Sequence, residues 1–329
     1  MKLTLLIAAF IAFTVHLTAQ QESMYTQYMF NKTLFNPACV GSNGHLTANI
    51  IHRQQWIGFE GAPVTQALGV HSPLRSEKIG AGFSLQRDKI GSTEMYDLFA
   101  AYAYQFQVGY NLKLSIGVQG GFTNWHADWS GINLEQTTDQ VFQQNLNFWK
   151  PNFGAGAYLF SKQFYVGLGC PKLLEYDLNK AKNDQNPVFG STYRHFYGTV
   201  GAVFPIGSSA MVFRPSAMVK TAGLGSSYLR NDAKQRIGAP TTLDLDASVF
   251  MQETLWLGLA FRSAFSKQYQ SAESVDIRAA WYFRNGLRMG VTYDILLSKI
   301  RKASAGSVEL MLGYEFDIKI NKVASPRYF

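Results

Sequence analysis

The side chains that could carry catalysis or bind a metal are few in this sequence, and their spacing matches no motif of that chemistry. There are six histidines, and none stands in an HExxH pair, which would place two imidazoles on one helix face for zinc. Cys39 and Cys170 are too few for a four-ligand zinc site, and the sequence does not decide whether they pair. No GxSxG elbow presents a nucleophilic serine. We therefore expect no metal, no cofactor and no enzyme, although a triad built from distant residues needs no such motif.

Charged residues in the second half of the chain stand at alternate positions of apolar segments. Asp244 and Asp246, for example, alternate with Leu243 and Leu245. The same arrangement holds for Arg262, Asp276, Arg278, Arg288, Asp294, Glu309 and Glu315. A period of two is that of a β-strand with one apolar and one polar face. These residues therefore lie on strands whose two faces meet different surroundings.

The length of the alternating segments separates two classes of β protein. Strands of a soluble sandwich are usually about 5 or 6 residues long, whereas a tilted strand needs roughly 9–11 residues to cross a membrane. Several segments are of the longer kind, and we count roughly fourteen, an even number as in bacterial barrels. The sequence predicts an all-β fold, a transmembrane antiparallel β-barrel of FadL-like size with long extracellular loops. The spans at about 124–151, 171–192 and 221–240 are interpreted as external loops or a lumen plug.

Composition agrees with a barrel and excludes one class of partner. Charged residues make up 16% of the chain and aromatic residues 14%, against about 25% charged in an ordinary globular protein. The net charge is +8, but the basic residues are scattered, whereas a nucleic-acid-binding surface needs a basic stripe. We expect no nucleic acid and at most a minor attraction to lipid headgroups of the outer membrane.

The chain divides into four predicted parts. Residues 1–19 have the charge and apolar run of a secretory signal peptide, with cleavage near Ala19 or Gln20; an uncleaved anchor helix is the alternative. Residues 20–44 are irregular and rich in turn formers, so they either fold into the lumen or face the periplasm. Residues 45–318 form the barrel. Residues 319–329 form a C-terminal tail that either continues the last strand or is a separate recognition element.

Four passages contain residues that barrel patterning does not require: QYMFNKTLFNPACVGS at 27–42, RQQWIGFEGAPVTQ at 53–66, TYDILLSKI with AGSVELMLGYEF within 292–316, and the terminal SPRYF. They resemble the PorP/SprF family of outer-membrane proteins of the type IX secretion system of Bacteroidetes, over nearly the whole mature chain. The family positions that match, and that we take as candidate partner or lumen residues, are Gln27, Met29, Phe30, Asn31, Asn36, Pro37, Arg53, Gln54, Gln55, Trp56, Gly58, Phe59, Gly61, Ala62, Pro63, Thr65, Tyr293, Asp294 and Glu309.

The resemblance implies a non-enzymatic barrel of the type IX secretion and gliding-motility machinery. Such a barrel would dock or anchor an exported, adhesin-like surface protein that carries a sorting domain, with periplasmic or peptidoglycan-linked components as further partners. The rival interpretation is an outer-membrane channel or hydrophobic-solute transporter, in which Asp244, Asp246, Arg262 and Arg288 would tune passage.

The passage RQQWIGFEGAPVTQ is predicted to form the first hairpin. Residues 53–56 would close a strand, Gly58 to Pro63 would turn with Trp56 and Phe59 packed at the interface, and Thr65 would begin the return strand. Its role is either to fix register and lumen packing or to bind a partner.

Overall fold

The computed structural model describes residues 22–74, 78–129, 146–176, 178, 192–207, 210–224, 240–265 and 270–316. The predicted signal peptide and C-terminal tail lie outside the described residues, as do most of the three long polar spans. Within the described ranges, no helix is both long enough and apolar enough to span a membrane.

The fold is a closed antiparallel barrel of fourteen strands. Its strand segments are β1 (Leu46–Gln54), β2 (Val64–Pro73), β3 (Ile79–Ile90), β4 (Thr93–Gly109), β5 (Leu112–Ala127), β6 (Leu146–Phe160), β7 (Phe164–Cys170), β8 (His195–Ala202), β9 (Phe204–Pro205), β10 (Met211–Ala222), β11 (Thr241–Met251), β12 (Leu255–Phe265), β13 (Gln270–Tyr282), β14 (Leu287–Leu296) and β15 (Ser307–Phe316). Only Val203 separates β8 from β9, and both pair with β10, so they count as one barrel strand. Because β15 pairs with β1, the sheet has no edge. The predicted class and strand number are confirmed.

The two faces of the wall are the reverse of those of a soluble protein. Along β12, Leu257, Leu259 and Phe261 point outward and are exposed, whereas Trp256 and Arg262 point inward and are buried. The charged residues predicted to share one face are nearly all buried inside: Asp244, Asp246, Arg262, Asp276, Arg278, Arg288, Asp294 and Glu309. An apolar outer face and a polar inner face are typical of a barrel surrounded by lipid.

The two ends of the barrel differ in their connections. At one end, which we call the short-turn end, the turns after β4, β6 and β11 occupy only residues 110–111, 161–163 and 252–254. At the other end, the loop-rich end, lie the connections 55–63, 171–194, 223–240 and 297–306. Outer-membrane barrels have short periplasmic turns and longer extracellular loops. By that pattern we expect the short-turn end to face the periplasm.

Residues 22–44, which we call the N-terminal segment, lie inside the barrel. They contain three short 3-10 turns, Tyr28–Phe30, Lys32–Leu34 and Pro37–Cys39. Inward-facing glycines make room for their backbone, since a Cβ atom would lie 2.0 Å from Val40 O at Gly80, 2.3 Å from Ala38 N at Gly117 and 2.3 Å from Phe35 O at Gly169. The segment runs from the loop-rich end, where Glu22 contacts Lys172, to the short-turn end, where the Gly41 N–H bonds His71.

The hydrophobic core is therefore formed between this segment and the wall. Tyr25, Tyr28, Phe30 and Phe35 are buried against wall residues, which include Tyr197, Met218, Phe250, Trp256, Tyr282 and Met311. The rings of Phe30 and Trp256 meet edge to face with centroids 4.7 Å apart, a favourable aromatic geometry. Cys39 and Cys170 are both buried as free thiols.

Candidate functional site

Strand closure brings together residues from three of the four passages at the loop-rich end. Arg53 on β1 stands directly opposite Glu309 on β15, and Asp294 lies on neighbouring β14. Arg53 Nη2 lies 2.6 Å from Asp294 Oδ2, and Arg53 Nη1 lies 3.2 Å from Glu309 Oε2. The Glu309 carboxylate also accepts the backbone N–H groups of Thr26 at 2.8 Å and Gln27 at 2.7 Å.

Two further arginines, Arg278 on β13 and Arg262 on β12, hold the same stretch of backbone from the strands beside β14. Arg278 donates from Nη2 to Thr26 O at 3.0 Å, and its Nη1 lies 2.7 Å from Asp246 Oδ2. Arg262 is paired with Asp244 through two contacts of 2.7 and 3.2 Å. We call this set the lumen clamp: Arg53, Arg262, Arg278, Asp244, Asp246, Asp294 and Glu309.

The lumen clamp can hold a chain in place through its backbone groups. The Glu309 carboxylate accepts the backbone N–H groups of Thr26 and Gln27, while the Arg278 guanidinium donates to the Thr26 carbonyl, so donors and acceptors of this backbone are both paired. Charge-assisted hydrogen bonds of this kind are about twice as strong as neutral ones. Since the clamp is buried, removing one partner would leave a charge with no compensation.

A second ionic contact fixes the start of the segment. Lys172, in the connection after β7, lies 3.0 Å from Glu22 and 2.7 Å from Asp97. Burial alone would lower the pKa of Lys172, but the two carboxylates outweigh it and raise that pKa above its ordinary value. Burial would raise the pKa of Glu22, and Lys172 and His195 instead hold it below its usual range. The Lys172 ammonium and the Glu22 carboxylate are therefore both charged at neutral pH.

The predicted first hairpin is confirmed, with different strand limits. β1 ends at Gln54 instead of Trp56, because Trp56 adopts a left-handed φ of 52°. The next residue, Ile57, donates its N–H to Gly306 O at 2.8 Å and accepts from Ala305 N at 2.8 Å. On the other side, Gly91 N–H bonds Gly61 O at 2.9 Å. The loop 55–63 is thus held between its two neighbouring connections.

The tip of this loop is presented outward. Phe59 is 48% exposed, and Glu60 is also exposed. Gly58 and Gly61 have φ of 90° and 72°, which favour glycine. Trp56 is half-buried and meets Phe59 edge to face at 6.5 Å.

The other candidate residues have structural surroundings of several kinds. Met29 and Phe30 belong to the core, Asn36 bonds Ala157 O at 3.0 Å and caps Ala38 N at 2.9 Å, and Thr65 bonds Asp88 at 2.5 Å. Asn31 and Pro37 are buried in the segment, and Gln54 is exposed. Gln55, Ala62 and Pro63 are half-buried at the loop-rich end. Tyr293 is exposed, and its hydroxyl donates to the Ala305 carbonyl.

Sequence reasoning missed Thr26, Glu22, Lys172 and Arg278 as members of the site. Strand alternation identified Arg278 as inward-facing, but it could not show what it faces. Among the described residues, no group of three or more His, Cys, Asp or Glu side chains is placed to hold a metal ion.

Comparisons with solved structures show the fold. The chain is similar to the Ralstonia pickettii toluene transporter TbuX, with a TM-score of 0.50 and 9% identity over 88% of this chain and 92% of that chain. It is also similar to the CymD monoaromatic hydrocarbon channel, with a TM-score of 0.48 and 9% identity over 90% of this chain and 94% of that chain. A Pseudomonas aeruginosa FadL homologue is similar with a TM-score of 0.44 and 10% identity over 83% of this chain and 90% of that chain. At such identities the likeness concerns the fold alone.

None of the curated proteins compared with the chain matches it. A family model described as type IX secretion system membrane protein PorP/SprF matches residues 17–314, which is most of the chain. The match includes the N-terminal segment, the loop 55–63 and the strands that carry the lumen clamp. The chain therefore belongs to the PorP/SprF family and is an outer-membrane β-barrel of the type IX secretion system.

Proposed function

We propose that this barrel, without catalysing a reaction, docks proteins exported by the type IX system at the cell surface. The cargo would be an adhesin-like protein with a sorting domain, bound at the loop-rich end. The observation that carries the proposal is the loop 55–63, which presents an exposed aromatic side chain on a backbone fixed at both sides. Family membership gives the export context.

A fixed loop suits docking because little conformational freedom is lost when a partner binds. The loop is held before any cargo arrives, because Ile57 exchanges hydrogen bonds with the 297–306 connection and the Gly61 carbonyl accepts from Gly91 N–H in the β3–β4 turn. Aromatic residues, phenylalanine among them, are enriched in protein interfaces relative to the rest of the surface. Phe59 therefore provides a contact point outside the membrane.

The filled lumen supports docking over the rival channel or transporter function. The N-terminal segment occupies the interior, and each arginine of the lumen clamp is paired with a carboxylate. Beside the segment, cavities of about 50 and 30 Å³ have room for only a few waters. A third cavity, of about 180 Å³, lies at the loop-rich end, where its lining includes the charged side chains of Glu22, Asp88, Glu94 and Lys172. Periplasmic components of the same system are the further partners that we propose, at the short-turn end.

Replacing Phe59 and Glu60 by serine should reduce surface display of the cargo by about tenfold, since the exposed contact of the loop would be lost. Gly58 and Gly61 are kept, so the turn can still form. Surface display is measured by protease shaving of whole cells and mass spectrometry, and barrel folding by heat-modifiable gel mobility.

The matched control is Tyr110→Ser, because Tyr110 is 98% exposed but lies in the β4–β5 turn at the opposite end. This control should leave display unchanged. Normal display in the loop variant at normal barrel level would contradict docking through this loop.

A further inference from the structure

Basic side chains are concentrated in the connection between β14 and β15. Residues Lys299–Lys302 form a single 3-10 turn, which we call the basic turn, and its Lys299, Arg301 and Lys302 are all exposed. In a 3-10 turn, side chains three positions apart project in the same direction. Lys299 and Lys302 therefore lie on the same side of the turn, and Arg301 adjoins them.

The positive charge of the basic turn has no carboxylate partner among the residues that the structure describes. None of its cations lies within ion-pairing distance of an Asp or Glu side chain there. Elsewhere at the loop-rich end, by contrast, Arg87 and Lys89 lie 2.8 and 3.3 Å from the carboxylate of Glu94. An anion from outside the chain can therefore approach the basic turn without displacing an internal partner.

The basic turn stands at the edge of the apolar outer wall formed by β14. Every second residue along this stretch is an exposed apolar or aromatic side chain: Met289, Val291, Tyr293, Ile295 and Leu297. A strand that rises about 3.4 Å per residue and is tilted by about 40° advances roughly 20 Å along the membrane normal between the first and the last of them. This is most of the lipid-facing apolar band, which is about 25 Å tall. Because Ser298 and Lys299 follow directly, the basic turn lies at the level of the lipid headgroups.

Hydrogen bonds hold the connection to the wall on both sides of the basic turn. Before the turn, Leu297 N–H donates to Glu273 O of β13 at 2.8 Å. After the turn, Ala305 N–H donates to Ile57 O in the loop 55–63 at 2.8 Å. The cations are therefore presented from a fixed backbone, which loses little conformational freedom when a headgroup binds.

We propose that the basic turn binds the phosphate groups of an anionic lipid in the membrane leaflet at the loop-rich end. Basic clusters beside a membrane attract anionic headgroups, and the attraction increases with each Lys or Arg near the surface. The Arg301 guanidinium can donate parallel N–H bonds to one phosphate, while Lys299 and Lys302 act as point charges. By the expected orientation of the barrel this leaflet is the outer one, where phosphorylated lipid A supplies such groups.

The test uses the full-length protein purified in detergent, lipid A as the probe, and native mass spectrometry to measure the lipid that each protein retains. The unmodified protein should bind lipid A at least about tenfold more tightly than lipid A whose phosphates have been removed. The combined variant Lys299→Gln, Arg301→Gln, Lys302→Gln should bind lipid A at least about tenfold more weakly than the unmodified protein does. Heat-modifiable mobility confirms that each variant is folded.

The matched control combines Lys113→Gln, Lys162→Gln and Arg284→Gln, which removes the same charge from the short-turn end. This control should bind lipid A as the unmodified protein does. Equal weakening in the two combined variants would show an effect of net charge, and equal binding of both lipids would show that acyl chains suffice; either result overturns the proposal.

A remaining outcome separates lipid from protein as the partner of the basic turn. Normal lipid A binding in the basic-turn variant, together with reduced surface display of cargo, would assign the cations to an acidic protein partner and overturn lipid binding. Because the purified protein is tested without cargo, a failure of cargo docking through the loop 55–63 would leave the lipid measurements unchanged.

Discussion

Replacing Arg53 by alanine should lower the free energy of unfolding by about 3–5 kcal/mol, the loss expected when one partner of a buried ionic pair is removed. The side chains of Arg53, Asp294 and Glu309 are each no more than 2% exposed. Without the guanidinium, two carboxylates would stay buried within reach of each other, and the hold on Thr26 would weaken. Urea unfolding in detergent or lipid, followed by heat-modifiable mobility, measures the loss.

Arg87→Ala is the matched control for this prediction. Arg87 also forms an arginine–carboxylate pair, 2.8 Å from Glu94, but its side chain is 34% exposed. Exposed pairs contribute only about 0–1 kcal/mol. Equal stability of the two variants would show that the lumen clamp does not hold the N-terminal segment.

Introducing leucine at both Gly117 and Gly169 should displace the N-terminal segment and make the barrel permeable. A Cβ atom at either position would lie 2.3 Å from backbone atoms of the segment, a distance that cannot be relieved by turning a side chain. A fourteen-stranded barrel emptied of its segment would contain a water-filled path, so conductance in planar bilayers should rise many-fold. Trypsin cleavage after Lys32 reports displacement of the segment directly.

Gly198→Leu is the control, because a Cβ at this outward-facing position would meet only Leu168 Cδ2, at the ordinary distance of 3.7 Å. It should change neither cleavage nor conductance. If the double variant becomes cleavable at Lys32 without conducting, the segment does not close the lumen. If the double variant shows neither cleavage at Lys32 nor raised conductance, the segment does not lie against the wall at Gly117 and Gly169.

The wall of the barrel was predictable because it follows from local pattern. Alternation of residues such as Asp244 and Leu245 fixes which side chains share a face, and segment length separates a membrane strand from a sandwich strand. Strand limits were less predictable. Trp56 looks like a strand residue, but the chain turns there, because Ile57 donates its N–H to Gly306 O and accepts from Ala305 N, about 250 positions away.

The lumen clamp could be predicted only in part. Arg53, Asp294 and Glu309 were selected by resemblance, and alternation placed the last two on one face. The contact of Arg53 with Glu309 depends on the pairing register of β1 with β15, and this register cannot be read from the local sequence pattern of either strand. A single residue of slip would turn Arg53 toward lipid.

The path of the N-terminal segment was left open by its sequence, since turn-rich composition suits either a lumen or a periplasmic position. A signal was present in the strands that surround it. Gly80, Gly117 and Gly169 occupy inward positions where side chains would otherwise fill the lumen, and glycine in a strand often marks close approach of another backbone. Which backbone approaches could be seen only in three dimensions.

The most direct test of the account is affinity purification of the tagged protein from outer membranes of its native host, followed by quantitative mass spectrometry. The account predicts a near-stoichiometric exported surface protein with a type IX sorting domain, lost when Phe59 and Glu60 are replaced by serine and retained with Tyr110→Ser. Recovery of barrel-assembly factors alone, with no exported surface protein bound, would contradict docking and favour the transporter function.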